Sequence, residues 1–290
     1  MRVAVTGGTG LVGRFIVNGL LAEGHDVTVM TRTPPRSGFF SRPVAHQPFD
    51  LDDQSFQIGG LDAVVHAAFD HLPGRYRGGE GDDPEGFVRR NLDGSNRLFR
   101  AAEGANARVI FISSRAVYGQ LRGALTEDMV CAPDTLYGQA KLQAEQMLMS
   151  SGQRATILRA TGVYGAPGPG QQHKWADLFA DFAAARPIAP RVGTEIHGDD
   201  LARAVSLGLS GAQGVYNLTD LLLDRRDLLA EWQRITGITG QLPDRADADG
   251  YGEMSMARLN DLGLRPGGME KLRETLRRIA EIDGISSTVA

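Results

Sequence analysis

Two groups of residues in this chain have the types and spacing to do chemistry. The first is Thr6-Gly7-Gly8-Thr9-Gly10-Leu11-Val12-Gly13, with glycines at 7, 10 and 13. In a strand-to-helix turn, Gly7 allows the tight bend and Gly10 lets a pyrophosphate approach the helix N-terminus. Gly13 lets the helix pack close to the sheet. The second is Tyr137 and Lys141, four apart and so on one face of a helix, one turn from each other. A tyrosine hydroxyl, with an ordinary pKa of ~10, is too weak a base at neutral pH. A neighbouring ammonium stabilises the tyrosinate, so the pair can take a proton from an alcohol or return it to a ketone. Ser114, 23 positions before Tyr137, can hydrogen-bond the same substrate oxygen.

These residues need elements to position them. Residues 2–6 form a β-branched run that reads as a buried parallel strand. A helical pattern with Leu11, Phe15, Ile16, Leu20 and Leu21 follows the glycines, which is the context a phosphate loop requires. Residues 26–30 read as the second strand. About 20 residues past the glycines an NAD site places an acid for the ribose 2′-hydroxyl. Here stand Thr31-Arg32-Thr33-Pro34-Pro35-Arg36, with no carboxylate. Arg32 and Arg36 suit a 2′-phosphate, which predicts NADP(H), with NAD as the alternative.

Later strands are expected at 43–47, 62–67, 108–113 and 155–159, with helices near 53–58, 84–104 and 136–151. This alternation predicts an α/β fold, a doubly wound Rossmann-type parallel sheet. After about residue 160 the alternation weakens, and helices are expected at 175–185, 199–209, 225–236 and 269–282. The division predicted is 1–160 as the dinucleotide-binding domain, with a return segment near 190–212. Residues 161–290 then form a smaller, mostly helical substrate lobe. The Gly- and Arg-rich stretch 73–83 reads as a surface insertion or a flap near the substrate.

Composition narrows the function classes. Lys+Arg 31 against Asp+Glu 35 gives a net charge of −4, which argues against nucleic acid or an anionic membrane as partner. The single cysteine, Cys131, rules out an intrachain disulfide framework. The six scattered histidines form no ligand pair, so no metal is expected. No apolar run reaches the ~20 residues of a membrane span. With no export signal visible at the start, the expected location is cytoplasmic.

Several segments together resemble the extended short-chain dehydrogenases/reductases, the NAD(P)-dependent epimerase/dehydratase group. The glycine motif is similar to their nucleotide loop, and Asp50-Leu51 to their adenine-contacting pair. Residues 61–68, ending His66-Ala67-Ala68, resemble the strand lining the nicotinamide. Asn91 in Asn-Leu-Asp-Gly-Ser resembles a structural asparagine of the cofactor site. Residues 111–119 resemble the strand that carries the catalytic hydroxyl, here Ser114, and Tyr137-Gly-Gln-Ala-Lys141 the Tyr-x3-Lys pair. Residues 157–159, 163–165 and 197–201 are similar to later landmarks. The resemblance implies catalysis by Ser114, Tyr137 and Lys141, with Lys141 also holding the nicotinamide ribose. It places Thr6, Gly7, Gly10, Leu11, Val12, Gly13, Ala67 and Ala68 around the dinucleotide. Phe69, Arg115, Gly162 and Tyr164 become candidate substrate contacts.

The departures are informative. Arg115 and Ala116 stand where the 4,6-dehydratases carry Asp-Glu, which argues against that elimination route. Gly162 stands where nucleotide-sugar epimerases place asparagine, which argues against a UDP- or dTDP-sugar. The predicted function is an NADP(H)-preferring oxidoreductase interconverting a secondary alcohol and ketone on a small, possibly sugar-like molecule. The alternatives are a sugar epimerase working through a keto intermediate and a non-catalytic NADP-sensing protein. The family commonly pairs through the helices at 84–104 and 136–151, so a homodimer is expected, with Leu142, Met147, Leu148 and Met149 as its apolar surface.

Overall fold

Val3, Ala4 and Val5 of the first strand, β1 (Arg2–Thr6), are fully buried, which only a strand covered on both faces permits. In the computed structural model, which describes residues 1–53, 56, 58–71 and 78–285, β1 lies inside a seven-stranded sheet. Its partners are β2 (Asp26–Thr31) on one side and β4 (Ala63–His66) on the other, both parallel. Outside them lie β3 (Ala45–Pro48), β5 (Arg108–Ser114), β7 (Ala155–Ala160) and β10 (Gly214–Leu218). The order is β3-β2-β1-β4-β5-β7-β10, with every pairing parallel.

Parallel strands need crossovers, and the helices supply them on both faces. Helices α1 (Leu11–Ala22) and α5 (Gly198–Ser210) cover one face. Ile16, Val17 and Leu20 meet Leu201, Ala204 and Val205 there, over Val3, Val5, Val65 and Ile112. Helices α2 (Pro84–Gly104) and α3 (Leu136–Ser150) cover the other. Leu98, Phe99, Ala144 and Leu148 pack there over Ala4, Val64, Val109 and Phe111. The period-2 alternation thus sends odd-numbered residues of β1 to one core and Ala4 to the other. Thr135 caps α3 by accepting from the Gly138 N–H (3.0 Å), and Asp83 caps α2 ahead of Pro84.

The later part of the chain holds more strand than its sequence suggests. β8 (Gly162–Tyr164), β9 (Val192–His197) and β11 (Leu221–Asp224) form a second sheet, and β6 (Ala124–Leu125) pairs with β12 (Glu253–Met254). Helices α4 (Ala176–Ala183), α6 (Arg225–Thr236) and α8 (Gly268–Ile282) enclose a third core of Trp175, Phe179, Phe182, Trp232, Leu272 and Leu276, with short α7 (Ala257–Asp261) apart. The expected helix at 53–58 and the stretch 73–83 each fall in part outside the described residues. Among the described residues no helix is long and apolar enough to cross a membrane.

Candidate active site

In the sheet, β2 and β4 flank β1, so the chain leaves β1 in one direction and returns on the other side. That switch point opens a crevice at the strands' carboxyl ends, and the glycine loop sits in it. Gly7 has φ +66°, and a Cβ there would fall 2.8 Å from the Ala68 nitrogen. A Cβ on Gly13 would fall 2.7 Å from Gly8 Cα, so this glycine serves helix packing. Gly10 differs: its Cβ would meet nothing but the Gly7 carbonyl, at 3.3 Å. No side chain caps α1, and its first turn holds no acid. A helix N-terminus left open in this way fits a pyrophosphate.

The loop is held by a buried polar chain. Thr6 Oγ1 accepts from the Ala68 N–H (3.1 Å) and donates to His66 Nδ1 (2.8 Å). His66 Nε2–H donates to Ser95 Oγ (2.9 Å), which donates to the Asn91 carbonyl (2.6 Å). This pattern fits one neutral tautomer of His66. Burial, followed by the charge of Lys141, pushes the imidazole down to about 3. Asn91 Nδ2 donates to the Asp70 and Phe87 carbonyls, and Oδ1 accepts from the Asp70 N–H. Asn91 therefore fixes the segment after β4 through its backbone.

Asp50 caps the turn after β3 by accepting from the Asp52 N–H, while the Leu51 carbonyl accepts from Arg97. Gly94 makes room for Leu51 against α2. Arg32 and Arg36 are exposed just past the end of β2, and no ion pair among the described residues holds either.

The catalytic candidates meet where β5 ends against the start of α3. Gly138 packs on the Ala116 carbonyl too closely for any Cβ. Ser114 accepts from the Ala116 N–H (3.1 Å), capping the 3₁₀ turn Arg115–Tyr118 and keeping its own hydroxyl proton to donate. Tyr137 is 8% exposed, its ring edge-on to Phe69 at 5.3 Å and tilted to His71 at 5.6 Å. Lys141 Nζ donates to the Ile112 carbonyl (2.8 Å) and lies 3.8 Å from the Phe69 ring centroid. Burial pushes this ammonium down to about 7, against the opposing pull of Glu145.

Protein groups surround the other expected contacts. Arg115 is half-buried and held by the chain: its Nη2 donates to the Gly252 carbonyl (2.6 Å), and the guanidinium stacks 4.7 Å from the Tyr251 ring. Tyr164 is fully buried, stacked on Trp175 at 5.3 Å, and burial raises its hydroxyl pKa. Gly162 leaves space that the paired Lys174 and Glu195 occupy.

Sequence reasoning also passed over a clasp. Gln171 Nε2 donates to the Thr9 carbonyl (2.8 Å), and Arg14 Nη2 to Ala166 (2.5 Å). Together they tie the loop after β8 to the glycine loop, across sequence separations no local pattern reveals.

A Rossmann sheet with a glycine loop at its switch point and a Tyr-x3-Lys helix beside it defines a nucleotide-dependent short-chain enzyme. The model of the NAD dependent epimerase/dehydratase family matches residues 3–218, and the chain belongs to that family. It is an enzyme of the extended short-chain dehydrogenase/reductase type, a class that works with a nicotinamide dinucleotide. A 3-diazoavenalumate denitrifying reductase from a Streptomyces species is 29% identical over 247 residues, covering 80% of this chain and 79% of its own. The UDP-glucose 4-epimerase of Lacticaseibacillus casei is 27% identical over 218 residues, 69% of this chain and 64% of its own. Among solved structures, one UDP-glucose 4-epimerase superposes with a TM-score of 0.82 at 22% identity over 98% of each chain. The Thermus thermophilus UDP-glucose 4-epimerase, in complex with NAD, does so at 0.77 and 26% identity, over 96% of this chain and 99% of its own.

Proposed function

We propose that the chain is an NADP(H)-preferring oxidoreductase that interconverts a secondary alcohol and its ketone on a small, sugar-like molecule. The observation that carries this is the meeting of Ser114, Tyr137 and Lys141 at the end of β5, beside the glycine-loop crevice. Gly10, Leu11 and Val12 would present the open end of α1 to the pyrophosphate, and Arg32 and Arg36 would take the 2′-phosphate. Asp50 and Leu51 would border the adenine, Ala67 and Ala68 the nicotinamide. The bound dinucleotide would supply the hydride donor or acceptor.

The chain's own part is to bind the substrate and move a proton. Ser114 donates a hydrogen bond to the reacting oxygen. Tyr137 passes its hydroxyl proton to that oxygen in reduction, or accepts the proton in oxidation. Lys141 steadies the tyrosinate and holds the nicotinamide ribose hydroxyls. Residues 1–160 would form the dinucleotide half, with the return segment near 190–212, and 161–290 the substrate lobe.

A second reading, epimerisation of a nucleotide sugar, is favoured by the likeness to UDP-glucose 4-epimerases. The Lys174–Glu195 pair in the space beside Gly162 weighs against it. The test is a screen of sugars, uronates, nucleotide sugars and hydroxyketones with NADPH and NADP⁺. A reductase changes NAD(P)H absorbance in proportion to product. An epimerase converts sugar with no net change, and that outcome would replace the first reading with the second.

A further inference from the structure

Lys141 is a buried cation in a cage built mostly of rings. The Phe69 centroid lies 3.8 Å from Nζ and the Phe111 centroid 4.8 Å, and the lysine is 3% exposed. Its polar contact, the Ile112 carbonyl, is neutral. Neither histidine near it adds a second positive charge: burial disfavours the charged forms of both His66 and His71. Asp70, beside His71, is bonded to Arg90 at 2.6 Å. Of the remaining groups around the cage, Tyr137 precedes Lys141 by one turn of α3. Glu145 follows it by one turn on the same face, 1% exposed.

Glu145 is held from two strands. Ser113, the residue after Ile112, donates its hydroxyl to Oε1. Arg159 on β7 donates Nη2 to Oε2 (2.7 Å) and its Nε to both carboxylate oxygens (3.1 and 3.2 Å). Behind Arg159, the Tyr118 hydroxyl accepts from Nη1 (2.9 Å) and donates to Asn217 Oδ1 (2.8 Å). Cys131 lies nearby as a thiol that burial raises. Consecutive β5 residues therefore anchor the lysine, anchor the glutamate and carry the catalytic hydroxyl. So many bonds on a buried carboxylate fix its charge at one distance from the ammonium.

We propose that Glu145 is a positioning residue for Lys141, supplying the counter-charge that keeps the lysine protonated inside its aromatic cage. This rests on the reading of Lys141 as the cation that serves Tyr137 and the ribose. Arg159 acts in the opposite sense, holding the carboxylate in place while diluting its field. The pair thus sets the fraction of enzyme with a charged Lys141 near neutral pH.

The chain has three lysines, Lys141, Lys174 and Lys271, so ¹³Cε-lysine labelling of the full protein gives three resonances to follow against pH. Lys141→Met assigns one of them. Wild-type Lys141 should titrate near 7. Glu145→Gln should weaken its proton affinity at least about tenfold, one pKa unit. Arg159→Gln should strengthen it, by several-fold, and Glu145→Asp should lie between wild type and Glu145→Gln. Each variant lowers stability, but a purely structural role would not move the midpoint in opposite directions for the two charges. Should one variant fail to fold, the sign found in the other decides. An unchanged midpoint, or a shift of the same sign in both, would overturn the proposal. The measurement needs neither dinucleotide nor substrate, so its failure is separate from failure of the proposed reaction.

Discussion

Charge placement at single residues divides the work of the site. Arg32 follows the buried end of β2 into solvent, where a phosphate can meet it. Arg32→Asp should weaken NADPH binding by about tenfold or more, because a charge-assisted contact becomes a repulsion. NADH binding should change little. Fluorescence titration of both dinucleotides checks this, and equal wild-type affinity for the two would remove the NADP assignment. Lys141→Ala should damage dinucleotide binding and turnover together, whereas Ser114→Ala should lower turnover alone. His66 gives a pH dependence. Its folded form stays neutral down to about 3, while an unfolded histidine takes a proton near ~6.5. Between those values the unfolded chain binds more protons, so the stability is intact above pH ~6.5 and is lost as pH falls toward 3. Denaturation at a series of pH values should show that slope, and His66→Gln should flatten it.

Elements turn these residues into a site, and much of that was legible. The glycine loop, six of the seven strands of the large sheet and the helices of Tyr137 and Asn91 follow from apolar periodicity and glycine spacing. The geometry sharpens what each glycine does. Gly13→Ala places a Cβ against the backbone of Gly7 and Gly8 and should cost ~1–3 kcal/mol of stability, the usual range for overpacking. Gly10→Ala meets little protein and should cost the fold under about 1 kcal/mol, as a capping change does. It should still weaken dinucleotide binding about as much as Gly13→Ala. Thermal unfolding beside a binding titration separates the two, and equal loss of stability would assign Gly10 to packing instead. The strands of the second sheet escaped the sequence because β8 spans three residues, β11 four, and β9 carries Gly193. Three or four residues hold no period to detect, and a glycine interrupts the apolar pattern of the longer β9. Arg115 escaped for another reason: its partner, the Gly252 carbonyl, is a backbone group far along the chain, and the residue type alone does not point to it.

At the scale of the molecule, the contacts that join the nucleotide loop to the later part of the chain are long-range. The Gln171–Thr9 and Arg14–Ala166 bonds cross from the loop after β8 to the nucleotide loop and the first turn of α1, and Arg115 reaches the segment before β12. Such couplings follow from the fold and leave no mark in local sequence. The apolar surface expected for self-association is smaller than its residues suggest, since Leu148 is buried in the chain's own core while Met149 stays 58% exposed. Pairing through α2 and α3 predicts a dimer by sedimentation at micromolar concentration, and a monomer would refute it. The central claim, that Tyr137 carries the proton, has a direct test once the screen provides a substrate. Tyr137→Phe removes one hydroxyl and leaves the dinucleotide residues in place. Turnover should fall by ~10²–10⁴-fold, the usual cost of a lost general acid/base, with dinucleotide affinity nearly unchanged. Turnover near the wild-type rate would contradict the account.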